Sequence, residues 1–272
     1  LLLNNKLENM ALNALLVNKT LFLQSRFSVL LTIALCCLLP DKLFAEDTLH
    51  LAVASNFISP IKQLANDYEE ESGQKIQLSF GSSGKLFAQI QHGAPFDIFL
   101  SADAAKPEAL IQSQFALADS MVIYAQGILA LWSVTPLESD IKINLQKSDR
   151  IAIANPKLAP YGKAAQESLQ ALSLWNMVKA KLVQGENIGQ TYQFVYSQNA
   201  DIGFVAYSQV VAGKIKGSAI TIPSGMHSAI NQAGVILSHS KNLELSHAFM
   251  AFLMRPDTQA KITQFGYAAP QN

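Results

Sequence analysis

Cysteine is nearly absent from this chain. The only two, Cys36 and Cys37, are adjacent near the N-terminus, and residues 46–272 contain none. That stretch needs neither disulfides nor protection from oxidation, which suits an exported protein. Charge is also scarce: 15% of residues, with 20 basic balanced by 20 acidic. No basic surface is available for nucleic acid. The five histidines show no metal-ligand spacing, so direct metal ligands are not expected. No Gly-x-Ser-x-Gly elbow occurs, which leaves a hydrolase triad without support. Gly81-Ser82-Ser83-Gly84-Lys85 lacks the glycine spacing and the terminal hydroxyl of a phosphate-binding loop.

The apolar run from Phe27 to Leu39 covers 13 residues, short of the ~20 that span a bilayer. Lys19 and Arg26 precede it, and Pro40 and Leu43-Phe44-Ala45 follow. This is the order of a secretory signal, with cleavage expected after Ala45 and residues before about Lys19 as an extension. Both cysteines fall within the signal. Leu35 ahead of them is too bulky for a lipid-anchor motif. Its removal takes away four basic and two acidic residues and leaves a slightly acidic chain. The expected compartment is the periplasm.

From Leu49 onward, strand-like and helical segments alternate, the signature of an α/β fold. Leu49–Ala54, Ile76–Phe80 and Phe96–Leu100 read as strands. A helix over 60–71 places Ile61, Leu64, Ala65 and Tyr68 on one face. Ile123 to Trp132 is apolar but broken by Gln126-Gly127 and reads as one long strand passing between lobes, and a second set of strands and helices begins at Ile151. Residues 46–125 and 222–272 are expected to form one lobe and residues 126–221 the other, joined by two crossing strands.

Four strand-to-helix turns carry the residues of chemical interest: Ser55-Asn56, Ser82-Ser83, Tyr161-Gly162 and Ile188-Gly189. A helix start offers unpaired backbone N–H groups and a partial positive charge, so it attracts anions. Ser55 and Ser83 add hydroxyls, although serine in such a place also serves as a helix cap. Gly81 and Gly84 permit close backbone approach. Tyr161 and Ile188 offer backbone N–H groups, and the Tyr161 ring could stack over a ligand or simply fill a loop. Asp97 and Asp103 bracket an apolar strand and read as turn caps. In an open α/β sheet, such turns gather where ligands bind.

These turns lie within longer stretches: Ala52-Val53-Ala54-Ser55-Asn56, Ser79-Phe80-Gly81-Ser82-Ser83-Gly84, the segment from Gly93 to Asp103, Asn155-Pro156 through Tyr161-Gly162, and Gly203-Phe204-Val205-Ala206. Through them the chain resembles the molybdate-binding periplasmic components of ABC importers, from about Leu49 to Ala269. The resemblance implies a two-lobed type II periplasmic binding fold, each lobe a mixed, mostly parallel sheet flanked by helices. It implies a molybdate or tungstate ion in the cleft, held by Ser55, Ser83, Tyr161 and Ile188, with Asn56 at a position that is polar in some members. Ala206 stands where some relatives carry a tyrosine hydroxyl. The implied partners are the oxyanion and a membrane permease, with the protein acting as a monomer, without catalysis and without a cofactor. Another tetrahedral oxyanion such as sulfate, a secreted hydrolase of phospho- or sulfo-compounds, and a sensor domain are the alternative readings.

Overall fold

In the computed structural model, residues 48–215 and 217–270 are described, so the signal segment and its cleavage point lie outside them. The first lobe begins with β1 (Leu49–Ala54), whose last residues turn through a 3-10 segment, Ser55–Phe57, into α1 (Ile58–Ser72). Next come β2 (Ile76–Gly81), α2 (Ser83–Gln91), β3 (Ile98–Ser101) and α3 (Ala105–Gln112). β4 (Val122–Gly127) and β5 (Leu129–Ser133) are separate strands. The single long strand expected across this region is therefore broken at Ile128, where the chain leaves one sheet for the other.

The second lobe adds α4 (Ile141–Lys147), β6 (Ile151–Ala154), α5 (Pro160–Ala171), α6 (Trp175–Val178), β7 (Leu182–Gly185), α7 (Ile188–Tyr196), β8 (Ile202–Ala206), α8 (Tyr207–Ala212) and β9 (Ser218–Thr221). The chain then returns to the first lobe as β10 (Ile230–Ile236), α9 (Leu243–Leu253) and α10 (Pro256–Gln264). Among the described residues, no helix is long and apolar enough to cross a membrane.

The two sheets share one plan. The first has the order β2-β1-β3-β10-β4 and the second β7-β6-β8-β5-β9. In each, the first three strands are parallel and the fourth runs antiparallel to the third. That fourth strand is the crossing one: β10 has just left the second lobe, and β5 has just left the first. Both crossing strands are bonded on two sides. Bending between the lobes is thus confined to the short segments around Ile128 and between β9 and β10. Just before Ile128, Gln126 of β4 and Ala268 exchange a pair of 2.9 Å backbone hydrogen bonds within the first lobe.

The parallel strands are apolar on both faces because helices cover both. In the first lobe Leu49, Leu51 and Val53 pack with Ile61, Leu64 and Phe249. The alternate residues Ala52 and Phe99 pack with Leu86, Ile90 and Leu110 on the other face. In the second lobe Ile151, Ile153 and Phe204 meet Ala164, Ala165 and Leu169 of α5. Trp132 on the opposite face stacks on Tyr192, centroids 4.6 Å apart and planes 12° from parallel.

Close packing leaves no room for a side chain where α5 starts against the end of β6. A Cβ added at Gly162 would lie 2.2 Å from the Ala154 carbonyl oxygen and 2.6 Å from its carbon. Alanine is the better helix former by about 1 kcal/mol, but backbone obstructs it here. Gly162→Ala is expected to lower stability by about 1–3 kcal/mol, as overpacking does. A urea midpoint at or above that of the parent protein would contradict this.

Candidate functional site

The carboxyl ends of β1, β2, β6 and β7 face one another across the cleft and enclose a small cavity. Ser55, Asn56, Ser82 and Ser83 line it from the first lobe, Tyr161 and Ile188 from the second. The space open to the centre of a water molecule is about 10 Å³, roughly one water's worth. Nothing larger than a single small ion fits in this cavity. All five residues singled out in the sequence come together here, although their roles differ.

Which donors are open follows from the hydrogen bonds already made. Only the first four N–H groups of a helix lack a partner within it. In α2, Gly84 N–H donates to the Leu158 carbonyl at 2.8 Å, Lys85 N–H to Ser82 Oγ at 3.4 Å and Leu86 N–H to the Ser82 carbonyl at 3.1 Å. Ser83 N–H is left. In α5, Pro160 has no N–H and Lys163 N–H reaches the Ala159 carbonyl, which leaves Tyr161 and Gly162. In α7, Gln190 N–H is capped by Asn187 Oδ1 at 3.0 Å and Thr191 N–H bonds the Asn187 carbonyl, which leaves Ile188 and Gly189. Donors from three helix starts, in both lobes, remain at the cavity.

The serines divide the work. Ser82, not Ser83, is the helix cap of α2. Ser83 Oγ accepts the Ala102 N–H at 2.9 Å, so its own hydrogen is left to donate. Ser55 Oγ donates to the Gly81 carbonyl at 2.9 Å and would have to turn from it to reach a ligand. Gly84, expected to bring its backbone to a ligand, spends its N–H on the opposite lobe instead.

Asn56 and Tyr161 turn their side chains away from the cavity into the hinge. Asn56 Nδ2 donates to Gln232 Oε1 at 2.7 Å and to the Tyr267 hydroxyl at 2.9 Å. Tyr267 in turn donates to the Asn56 carbonyl at 2.8 Å, and Ser208 of the second lobe joins both. The Tyr161 ring does not stack over the site. It runs back to the end of β4, where its hydroxyl would meet a Cβ on Gly127 at 2.2 Å. That glycine is required for the ring to pass. Tyr161 Oη and Asn56 Oδ1 are buried and make no hydrogen bond among the described residues. Burial, and then the Tyr267 and Tyr124 hydroxyls, push the Tyr161 hydroxyl well above the ordinary tyrosine range. It stays neutral at any physiological pH.

Two further residues shape the site without contributing charge. Asn187 caps α7, a role asparagine commonly takes. Gln209 accepts the Ala206 N–H at 3.0 Å and donates to the Ile188 carbonyl at 3.1 Å. It ties the start of α8 to the start of α7 and fixes Ile188. The signal for it in the sequence is a glutamine three residues into a helix, the position from which capping boxes reach back. Asp103 caps α3 through Lys106 N–H at 3.1 Å. Asp97 accepts from His50 N–H and Ser240 Oγ, so both aspartates are structural. A larger groove of about 330 Å³ lies between the lobes nearby. Its lysines, Lys106 and Lys163, are each paired with a carboxylate.

The fold and the donor set have counterparts among known proteins. Residues 49–268 match the family model described as bacterial extracellular solute-binding protein. The chain is 40% identical over 218 residues to the molybdate-binding protein ModA of Rhodobacter capsulatus, covering 79% of this chain and 86% of that one. It is 41% identical over 222 residues to the ModA of Azotobacter vinelandii, covering 80% and 88%. The solved periplasmic molybdate-binding protein of Azotobacter vinelandii superposes with a TM-score of 0.79 at 36% identity, covering 82% of this chain and all of that one.

Removing the buried polar groups of the hinge should have opposite consequences. Asn56→Ala takes the donor from Gln232 Oε1 and one of three partners from the Tyr267 hydroxyl, and is expected to cost about 1–3 kcal/mol of stability. Tyr161→Phe removes an unpartnered hydroxyl and is expected to leave the melting temperature unchanged or raised. Above about pH 10 the unfolded chain loses tyrosine protons that the folded protein retains at Tyr124, Tyr161 and Tyr267. The unfolded state then binds fewer protons, so stability falls as pH rises. Denaturation curves for the two variants at neutral pH, and for the parent protein across the alkaline range, check all three statements.

Proposed function

The chain belongs to the bacterial extracellular solute-binding proteins, and from that premise we propose that it captures molybdate, or tungstate, in the periplasm and hands it to an ABC permease. Export would follow from the N-terminal signal, with the binding protein working as a monomer and without catalysis. The observation that carries the reading is the convergence on one small cavity of open N–H groups from helix starts in both lobes, joined by the Ser83 hydroxyl. The curated relatives named for molybdate binding support the choice of ion.

Ser55, Ser83, Tyr161 and Ile188 are the proposed contacts, the last two through backbone N–H. Asn56 contributes by holding the hinge, through its carboxamide and its carbonyl. A site built of donors alone rewards an anion with no proton of its own. A protonated phosphate would bring an O–H with no acceptor to receive it, and an unmade buried hydrogen bond costs about 1–3 kcal/mol. Charge cannot separate molybdate from sulfate, so the fit of the longer metal–oxygen bonds must do so. Contact with both lobes makes the ion prefer the closed state, and that preference drives closure.

Titration calorimetry is the direct test. Molybdate and tungstate should bind tightly with sulfate and phosphate far weaker, and no heat with molybdate would reject the reading. Each of Ser55→Ala and Ser83→Ala removes a hydrogen bond to a charged group, worth about 1.5–3 kcal/mol, so affinity should fall roughly 10- to 150-fold for each. No side chain lining the cavity titrates near neutrality. Affinity should therefore be flat between about pH 6 and about pH 9, and a bell-shaped profile would point to a charged ligand group.

A further inference from the structure

The first turn of α2 is gripped by the opposite lobe at two points, neither of which touches the cavity. Gly84 N–H donates across the cleft to the Leu158 carbonyl at 2.8 Å. Lys85 Nζ reaches Glu186 Oε1 at 2.7 Å, with both side chains about half exposed. Leu158 belongs to the loop between β6 and α5, and Glu186 to the loop between β7 and α7. These two loops lead into the helix starts that hold Tyr161 and Ile188. Each grip thus lies next in sequence to a proposed oxyanion donor: Gly84 and Lys85 follow Ser83, and Glu186 precedes Asn187 and Ile188.

We propose that Gly84 with Leu158, and Lys85 with Glu186, form a latch between the lobes that sets how long the ligand is held, without any of the four touching it. The inference rests on the oxyanion-binding reading above. Gly84, Lys85 and Glu186 are positioning residues: they bring the donors of the two lobes into register by closing the gap beside them.

Glycine is needed at position 84 for the approach of the lobes, not for a special backbone angle. A Cβ there would stand 2.9 Å from the Leu158 carbonyl oxygen and 3.0 Å from its Cα. Both obstacles are backbone and both belong to the other lobe. With the lobes apart, nothing in the first lobe opposes alanine at this place in a helix, and its helix propensity is higher. Gly84→Ala should therefore hinder closure without weakening either lobe. Gly162, whose obstacle lies in its own lobe, provides the contrast. The ion pair has a second consequence. Glu186 neutralises Lys85, two residues after Ser83 in the chain, so the grip on the ligand comes from uncharged donors while the ionic contact is spent on closing.

The experiment uses protein expressed from the full sequence and purified from the periplasm, with molybdate as the probe. Affinity comes from calorimetry, association and dissociation rates from stopped flow, ligand-free stability from urea denaturation and compactness from small-angle scattering. For Gly84→Ala the expected result is at least a tenfold loss of affinity, mostly as faster dissociation, with no fall in ligand-free stability. Lys85→Met and Glu186→Gln should each weaken binding about two- to fivefold, the range of an exposed ion pair. The double variant should lose no more than either single one. Both effects should shrink in about 1 M salt, where screening is strong. Gly84→Ala binding as tightly as the parent protein would overturn the latch. So would a loss of affinity matched by an equal loss of ligand-free stability, or fully additive effects of the charge variants. If the parent protein binds no molybdate, the oxyanion reading fails, and scattering alone judges the latch: Gly84→Ala must then enlarge the ligand-free radius of gyration, and equal radii reject it.

Discussion

Everything in this molecule turns on backbone N–H groups that helices cannot satisfy for themselves. Each helix start leaves such groups open, and a buried open donor is costly unless something accepts from it. The fold places three of these starts, from α2, α5 and α7, around one cavity. The repeated sheet plan explains how. Each lobe is a mixed sheet whose three parallel strands end at helix starts on the same edge, and the crossing strands β5 and β10 join the two lobes. The cavity is the place where two equivalent edges meet.

Satisfying these donors with an external anion, and not with side chains, has a structural requirement: nearby side chains must be kept from doing the job. The hydrogen bonds around the cavity are arranged accordingly. Ser82 and Asn187 take the N–H groups one turn inward, Gln209 takes the Ile188 carbonyl, and Ala102 N–H is given to Ser83 Oγ. Of the remaining donors, those of Ser83, Tyr161 and Ile188 line one space. Lysines and arginines are absent from that lining, so recognition depends on the number and direction of uncharged donors. A formal charge would attract any anion. A fixed set of donors discriminates by protonation state and size.

The strand-to-helix turns were legible in the sequence because their signals are local: an apolar strand, small hydroxyl residues, then helical periodicity. Ser55 and Ser83 could be picked out on that ground, Tyr161 and Ile188 only as backbone donors with the family resemblance beside it, and all four share a cavity. Side-chain direction was not legible. Asn56 sits two residues past a strand, where a ligand contact is natural, but its partners Gln232 and Tyr267 are 176 and 211 residues away. The Tyr161 ring finds its place only because Gly127 leaves room, a fact that belongs to two distant segments at once. The split of the expected long strand at Ile128 has the same origin. Both halves are good strand sequence, and only the existence of two sheets breaks them apart. The short helices α4 and α6 went unread since each has too few turns to display a period.

Three glycines separate three levels of organisation that share one chemistry. At Gly162 a side chain would strike Ala154 within the same lobe, so the residue serves folding of the second lobe. At Gly127 it would strike the Tyr161 hydroxyl and Gln232, so the residue serves the hinge between lobes. At Gly84 it would strike Leu158 only when the cleft is shut, so the residue serves the closed state alone. Gly162 and Gly127 are buried and Gly84 half-buried, and each lies against backbone or polar atoms. What distinguishes them is which parts of the molecule must move before the obstacle disappears: none for Gly162, the hinge for Gly127, the whole lobe for Gly84. The hinge is built of neutral hydrogen bonds and aromatic packing, with Phe57 against Tyr124 and Tyr267 at 4.9 and 5.5 Å. The outer edge of the cleft is built of an exposed ion pair and one backbone bond. A stiff, dry hinge with a weak, wet rim allows reversible closure, because opening requires breaking only contacts that water can replace.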